Sequence, residues 1–401
     1  MALTTKTSSN PSKADRILSF DLLRGFLLVI ILIDHVELYP SFFDLLTGRG
    51  RLFVSAAEGF FALSGLLIGM IYRRRIAQGM KFIFSKMWLR ALELYIASVV
   101  FTLGYAFWAV MANHPAIKYG LPDPINWWHI INQTLLLRFA FGWSDFLPRF
   151  AILMLIAPIA FYLIAKGRWK LMLTATITLW IFRNQNFTLA WQLLFNGGML
   201  VGFYWDEIST KLSNLRTNQK KFFKRSLYSL TVITFTISSL SVYLLSYLNE
   251  RLSSLPAWLQ TATLKTDIIN DHVWLYGQKW TLGPLRVALF ILWFSTLYLL
   301  VRKHEVKINH RTRGVLELLG RNSLFVYVLH SFIVFTFKFF IPIQTNIFQN
   351  FGITLLALLA LIYGTKAYRE IRDGYPKITI NVFYSYLSRL RRSLASSIGR
   401  T

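Results

Sequence analysis

Runs of about twenty apolar residues recur along this chain and dictate what it can become. A hydrocarbon core takes roughly 20 apolar residues to cross as helix. Runs of that kind begin near Ile17, Leu52, Met87, Phe146, Trp169, Thr188, Leu227, Leu282, Ser323 and Gly352. Backbone amides in hydrocarbon find no water, so a span must satisfy its own hydrogen bonds, and at this length it does so as a helix. A chain of 401 residues that is 55% hydrophobic and 15% charged is too apolar for an ordinary soluble domain. The fold class expected is therefore all-α, a polytopic membrane helical bundle of about ten transmembrane helices. The net charge of +26 does not point to nucleic acid, because the Lys and Arg fall in short clusters between the apolar runs. With no cysteine, disulfides and thiol chemistry are excluded.

The basic clusters set the expected orientation. They lie in the N-terminal tail, Arg73 to Arg90, Lys166 to Lys170, Lys211 to Arg225, Arg302 to Arg321 and the segment after Lys366, and together hold most of the 44 Lys and Arg. All six fall on one side if both termini are cytoplasmic and the stretch "INWWHIINQTLLLRFAF" (125–141) does not cross. That stretch carries His129, Asn132, Gln133 and Arg138, and reads as a re-entrant or interfacial helix on the outer side, with Trp127 and Trp128 at headgroup level. Residues 1–16 then form a cytoplasmic tail, 17–368 a transmembrane domain and 369–401 a basic cytoplasmic tail. The polar first 14 residues lack a small-residue cleavage pattern, so the first span is expected to be retained. Asn249 to Lys279 is the longest outer loop.

The first span, "SFDLLRGFLLVIILIDHVEL", carries Asp21, Arg24, Asp34 and His35. An ionisable side chain in hydrocarbon costs several kcal/mol and belongs against a polar cavity or a partner. Arg24 and His35 are eleven residues apart, on nearly one face and about 16 Å apart along the axis. Asp21 and Arg24 can pair at i,i+3, or both can be interfacial. His35 is the side chain suited to exchanging a proton near neutral pH, whereas Asp34 and His35 could also simply mark the end of the span. The second span adds Glu58, Ser64 and small residues that let helices approach closely. Glu58 lies at the depth of His35 and could orient its imidazole, or could pair structurally with a basic residue. At the inner ends of the second and third spans, Arg73, Arg74, Lys86 and Arg90 suit the phosphates of a cytoplasmic carrier, or serve only as a positive-inside loop. Trp191 and Gln192 could stack on and bond a sugar, or Trp191 could be an interfacial Trp, and Lys279 and Arg286 could bind an anionic group or be surface charge. His330 is a site residue or a helix–helix hydrogen-bond former.

The ordered set "DLLRGFLLVIILIDH", "SAAEGFFALSGLLIGM", "KMWLRALELY", "SDFLPRFAILMLIAPIAF", "LAWQLLFNGGMLVG", "QKWTLGPLRVALF" and "LGRNSLFVYVLHSF" resembles the membrane acyltransferase superfamily called acyltransferase family three. Within it, these segments are most similar to the OpgC-type branch that succinylates osmoregulated periplasmic glucans. The similarity is spread over Ser19 to Phe340. It implies an inner-membrane enzyme that moves an acyl group from cytoplasmic acyl-CoA to a sugar hydroxyl outside. It also implies an essential His35 with Arg24 as companion, an acid at Glu58, and Lys86 and Arg90 at the CoA end. The segment "WSDFLPRF" departs from the Trp-Ser-Leu-x-x-Glu pattern of wider relatives, and Asp145 could supply the missing acid.

The resemblance and the residues together suggest acyl transfer with His35 as general base or, alternatively, as a covalent acyl carrier. The implied co-substrate is succinyl-CoA or acetyl-CoA, with no tightly bound cofactor and no metal. The implied partners are the bilayer, acyl-CoA and a glucan or other glycan, and a homo-oligomeric state stays open. The rival class is a secondary or proton-coupled transporter, which would show repeated halves with broken helices; no such repeat is evident.

Overall fold

The computed structural model describes residues 17–113, 120–250, 252–264, 279–341 and 346–374. The tail 1–16, the segment from 375 onward and residues 265–278 of the long outer loop lie outside the described residues. Among those described, no strand occurs and the chain is helical: α1 (Leu18–Val36), α2 (Asp44–Thr47), α3 (Ala56–Arg73), α4 (Met80–Ala112), α5 (Trp127–Leu135), α6 (Phe146–Ala165), α7 (Trp169–Ile181), α8 (Phe187–Phe203), α9 (Trp205–Ser213), α10 (Thr217–Glu250), α11 (Pro284–Arg311), α12 (Val315–Arg321), α13 (Ser323–Phe340) and α14 (Ile347–Gly374). Seven of these, α3, α4, α6, α10, α11, α13 and α14, are long and apolar enough to cross a membrane. Each of the other three expected spans is helical but falls short by one criterion. α1 carries Asp21, Arg24 and Asp34, while α7 has 13 residues and α8 has 17. α5, at nine residues, is about 13 Å long and cannot cross. It is shorter than the 125–141 expected, and Trp128 on it is 75% exposed.

α1 is the central element. It packs against α3, α11, α12, α13 and α14, with Phe20, Leu23, Leu28, Leu32 and Val36 buried. α10 lies at the periphery and leaves Phe222, Val232 and Leu240 exposed, as a lipid-facing helix does. α4, at 33 residues, is about 50 Å long, so its basic first turns extend beyond a hydrocarbon core of about 30 Å. α3 opens with a capping box, in which Glu58 accepts from the backbone N–H of Ser55 at 3.0 Å and from its hydroxyl.

A close backbone contact joins α3 to α8 through small residues placed four apart on both helices. A Cβ at Gly65 would lie 1.9 Å from the Phe195 carbonyl oxygen, and one at Gly69 2.1 Å from that of Met199. From the other side, a Cβ at Gly198 would lie 2.1 Å from the Ala62 carbonyl and one at Gly202 1.9 Å from that of Leu66. Between helices in lipid there is little hydrophobic drive, so close backbone approach supplies the association through dispersion. This contact fixes Glu58 and Ser64 on α3 relative to Trp191 on α8. Gly198→Val forces the two backbones apart, and its cost should reach at least the upper part of the about 1–3 kcal/mol that overpacking brings. The check is thermal unfolding in detergent, where Gly198→Val should lower the midpoint and Gly197→Val, at a position with open space around it, should not.

Candidate active site

Two cavities meet inside the bundle. The first, of about 400 Å³, is lined by Arg24, Ser64, Tyr72, Arg75, Lys86, Arg90 and Ser323, and its apolar end is closed by Phe146, Phe150, Phe195 and Tyr327. The second, of about 60 Å³, is lined by Asp34, His35, Ser55, Asp145, Phe146, Arg149, Trp191, Lys279 and Trp280. Phe146 lines both. Its ring packs in a cluster with Phe61, Phe150, Trp191 and Tyr327, at centroid distances of 5.3, 6.5, 6.4 and 5.6 Å. A single benzyl side chain at the start of α6 thus stands between a basic cavity and the pocket that contains His35.

The basic cavity gathers residues from separate spans. Lys86 and Arg90 are one turn apart on the extended start of α4, Arg24 comes from α1 and Arg75 from the turn after α3. Arg90 also pairs with Glu93 at 2.8 Å. Arg73, expected beside them, is committed elsewhere. Its guanidinium bonds the Glu207 carboxylate and the Phe203 carbonyl, tying α3 to α9, and it holds the Glu207 carboxyl down to about 2. Arg74 is exposed and lies outside the cavity wall. Asp21 also stands apart from the cavity and meets Arg321 at 3.5 Å.

The small pocket is built at the far end of α1. His35 sits in the last turn of the helix, which ends where Glu37 adopts φ 55° and pairs with Lys338 of α13. Nδ1 of His35 lies 2.8 Å from Nε2 of His330, with the ring centroids 5.0 Å apart. Nδ1 of His330 in turn lies 2.9 Å from the Tyr327 carbonyl oxygen. Asp145 pairs with Arg149 at 2.6 Å, and the Arg149 guanidinium lies 3.7 Å from the centre of the Phe187 ring and 5.6 Å from that of Trp280. Trp280 is 60% exposed beside the pocket.

Three expected roles change. Glu58 does not orient His35. Its carboxylate is fully buried and divided between Ser55 and the Arg286 guanidinium, a partner 228 residues away. Arg286 is accordingly neither surface charge nor an anion trap; it is 1% exposed and serves as the counter-ion that a buried carboxylate requires. Gln192 is not turned to a ligand either, since its amide bonds the Thr176 carbonyl at 2.7 Å and the Asn196 side chain at 2.9 Å, joining α8 to α7. Trp191 is a wall of the pocket, its indole N–H donating to the Trp280 carbonyl at 3.3 Å. Asp34, His35, Asp145, Lys279 and Trp191 do come together, as do Arg24, Ser64, Lys86 and Arg90.

Sequence reasoning passed over Phe146, Arg149, Trp280 and Arg75. Arg149 had a signal, the i,i+4 spacing from Asp145, whereas nothing in a run of apolar residues marks Phe146 as a partition.

The OpgC protein family matches residues 16–372. The chain belongs to that family. It is therefore a membrane protein of acyltransferase type, as the ordered motifs imply. No curated protein and no solved structure matches the chain.

The buried ion pair yields a direct expectation. Removing one partner strands a charge in a dry site, which costs about 3–5 kcal/mol. Arg286→Met should sharply lower the unfolding midpoint and folded yield in detergent. Adding Glu58→Gln, which keeps a capping side chain at that position, should restore a large part of the loss. A double variant no more stable than Arg286→Met would contradict the pairing.

Proposed function

We propose that this protein is an acyl-CoA-dependent O-acyltransferase of the bacterial inner membrane, which transfers a succinyl or acetyl group to a hydroxyl of a periplasmic glucan. The observation that carries the reading is the shared wall. A cavity rich in Arg and Lys ends on the same Phe146 ring that bounds the His35 pocket. The polyanionic end of coenzyme A suits Arg75, Lys86 and Arg90, which offer charge-assisted bonds to phosphate. Arg24, deeper on α1, steers the pantetheine arm toward Phe146. Displacement of that ring brings the thioester carbonyl into the small pocket.

There His35 acts as general base. Its Nε2 takes the proton of the acceptor hydroxyl as the sugar oxygen attacks the thioester carbon. The carbon–sulfur bond then breaks, and the departing thiolate recovers the proton from the imidazolium. Such proton transfer supplies about 10² to 10⁴ in rate. Lys279 and Arg149 place positive charge where the carbonyl oxygen gains negative charge, and the same cations suit the free carboxylate of a succinyl group. Trp280 offers an exposed aromatic face on which a sugar ring can stack. A sugar hydroxyl is poorly ionised at neutral pH, which favours base catalysis over a covalent acyl-histidine.

Purified protein incubated with radiolabelled succinyl-CoA or acetyl-CoA and a soluble glucan tests the reading. Label is expected on the glucan with wild type and to fall by at least about 10²-fold with His35→Ala, the size of a lost general base. Lys86→Ala with Arg90→Ala should instead raise the KM for acyl-CoA and leave kcat nearly unchanged. Wild-type transfer by His35→Ala would rule out the imidazole as base.

A further inference from the structure

His330 is buried, 1% exposed, on α13 and lines neither of these two cavities. Both its ring nitrogens are nevertheless engaged, and their partners decide the direction of each hydrogen bond. The Tyr327 carbonyl oxygen, 2.9 Å from Nδ1, can only accept, so Nδ1 carries the proton. A neutral imidazole has one N–H, which leaves Nε2 of His330 as an acceptor. That acceptor lies 2.8 Å from Nδ1 of His35, which must then donate. A neutral His35 so bonded has its remaining lone pair on Nε2. The chain of three groups is closed at one end by a carbonyl, and that end fixes the proton positions along it.

We propose that His330 is the positioning residue for the base: it locks His35 in the tautomer with the proton on Nδ1 and the lone pair on Nε2, and accepts from the imidazolium during acyl transfer. This rests on the reading of His35 as general base. When Nε2 takes the hydroxyl proton, Nδ1–H is already directed at His330, so the new cation meets a preformed acceptor and no ring turns. Orienting an imidazole is commonly the work of a carboxylate. Here Glu58 is occupied by Arg286 and Ser55, and a neutral imidazole from α13 occupies the position beside Nδ1. A second proton on the pair would set two cations 2.8 Å apart, so the two rings carry at most one charge between them. Tyr327 supports the arrangement from below. Its ring lies 5.0 Å from that of His330, and its hydroxyl donates to the Trp143 carbonyl at 3.0 Å.

Two substitutions separate this role from simple packing. His330→Gln reaches the same place with an amide oxygen that accepts, and His330→Phe fills the space with a ring that does not. Full-length protein is assayed with radiolabelled succinyl-CoA or acetyl-CoA and a glucan, and ¹⁵N-histidine spectra are recorded without substrate, the His35 signal being assigned by its loss in His35→Ala. His330→Phe should lower kcat by about 10²-fold, the contribution of one positioned base, with KM for both substrates little changed. His330→Gln should recover most of that loss. In the spectra, wild type and His330→Gln should show His35 protonated at Nδ1, and His330→Phe a mixture of tautomers. A His330→Phe protein with wild-type kcat, or one that is slow while His35 keeps the Nδ1–H tautomer, would overturn the proposal. If His35→Ala turns over normally, the base reading itself fails; if His35→Ala is inactive and His330→Phe is fast, only the positioning role fails.

Discussion

Hydrocarbon offers an ionisable group neither water nor counter-ions, so each polar side chain placed deep in this bundle must draw a partner from another helix. That requirement organises the molecule. Glu58 is held by Arg286 across 228 residues of sequence and His35 by His330 across 295, while at the exposed end of α1 Glu37 pairs with Lys338 across 301. Each pair joins α1 or the start of α3 to a helix from the last third of the chain. The same contacts that satisfy buried groups thus close the bundle around α1, and they bring the imidazole of its last turn to a defined place.

Several polar groups around the pocket are already satisfied by protein partners. Glu58 is capped and paired, Asp145 is held by Arg149, and the Trp191 indole N–H is spoken for by a carbonyl. Among the described residues His35 is bonded at one ring nitrogen, and its pocket opens toward Lys279 and the exposed Trp280. On the other side of Phe146, the wall changes character to Arg24, Arg75, Lys86 and Arg90. An aromatic partition between a phosphate-friendly cavity and a base suits chemistry in which the two reactants come from different compartments.

Much of this was legible in the residues. Apolar run length placed the helices, because the cost of exposed backbone in lipid leaves little choice, and all ten runs are helical, even where charge or length keeps α1, α7 and α8 below the measure of a clear span. The depth of Arg24 and His35 followed from helical rise, and the two do line different cavities. Partner choice was not legible. Run length puts Glu58 and His35 at a similar expected depth, but depth does not give azimuth, and the Glu58 carboxylate faces Arg286. Arg286 read as an outer-surface charge because it begins a helix after a polar loop, whereas its burial depends on where α11 packs. The glycines at 65, 69, 198 and 202 carried a stronger signal than a stripe of small residues suggests, since the matching four-residue spacing on both helices is what admits backbone contact.

The central claim is that the thioester and the alcohol reach His35 from opposite faces of the bilayer. Proteoliposomes containing protein of one orientation, with radiolabelled acyl-CoA and glucan each supplied inside or outside, test it directly. Acylated glucan should form when acyl-CoA is on the side of Lys86 and glucan on the side of Trp280, and in no other arrangement. Equal transfer with both reactants confined to one face would contradict the account.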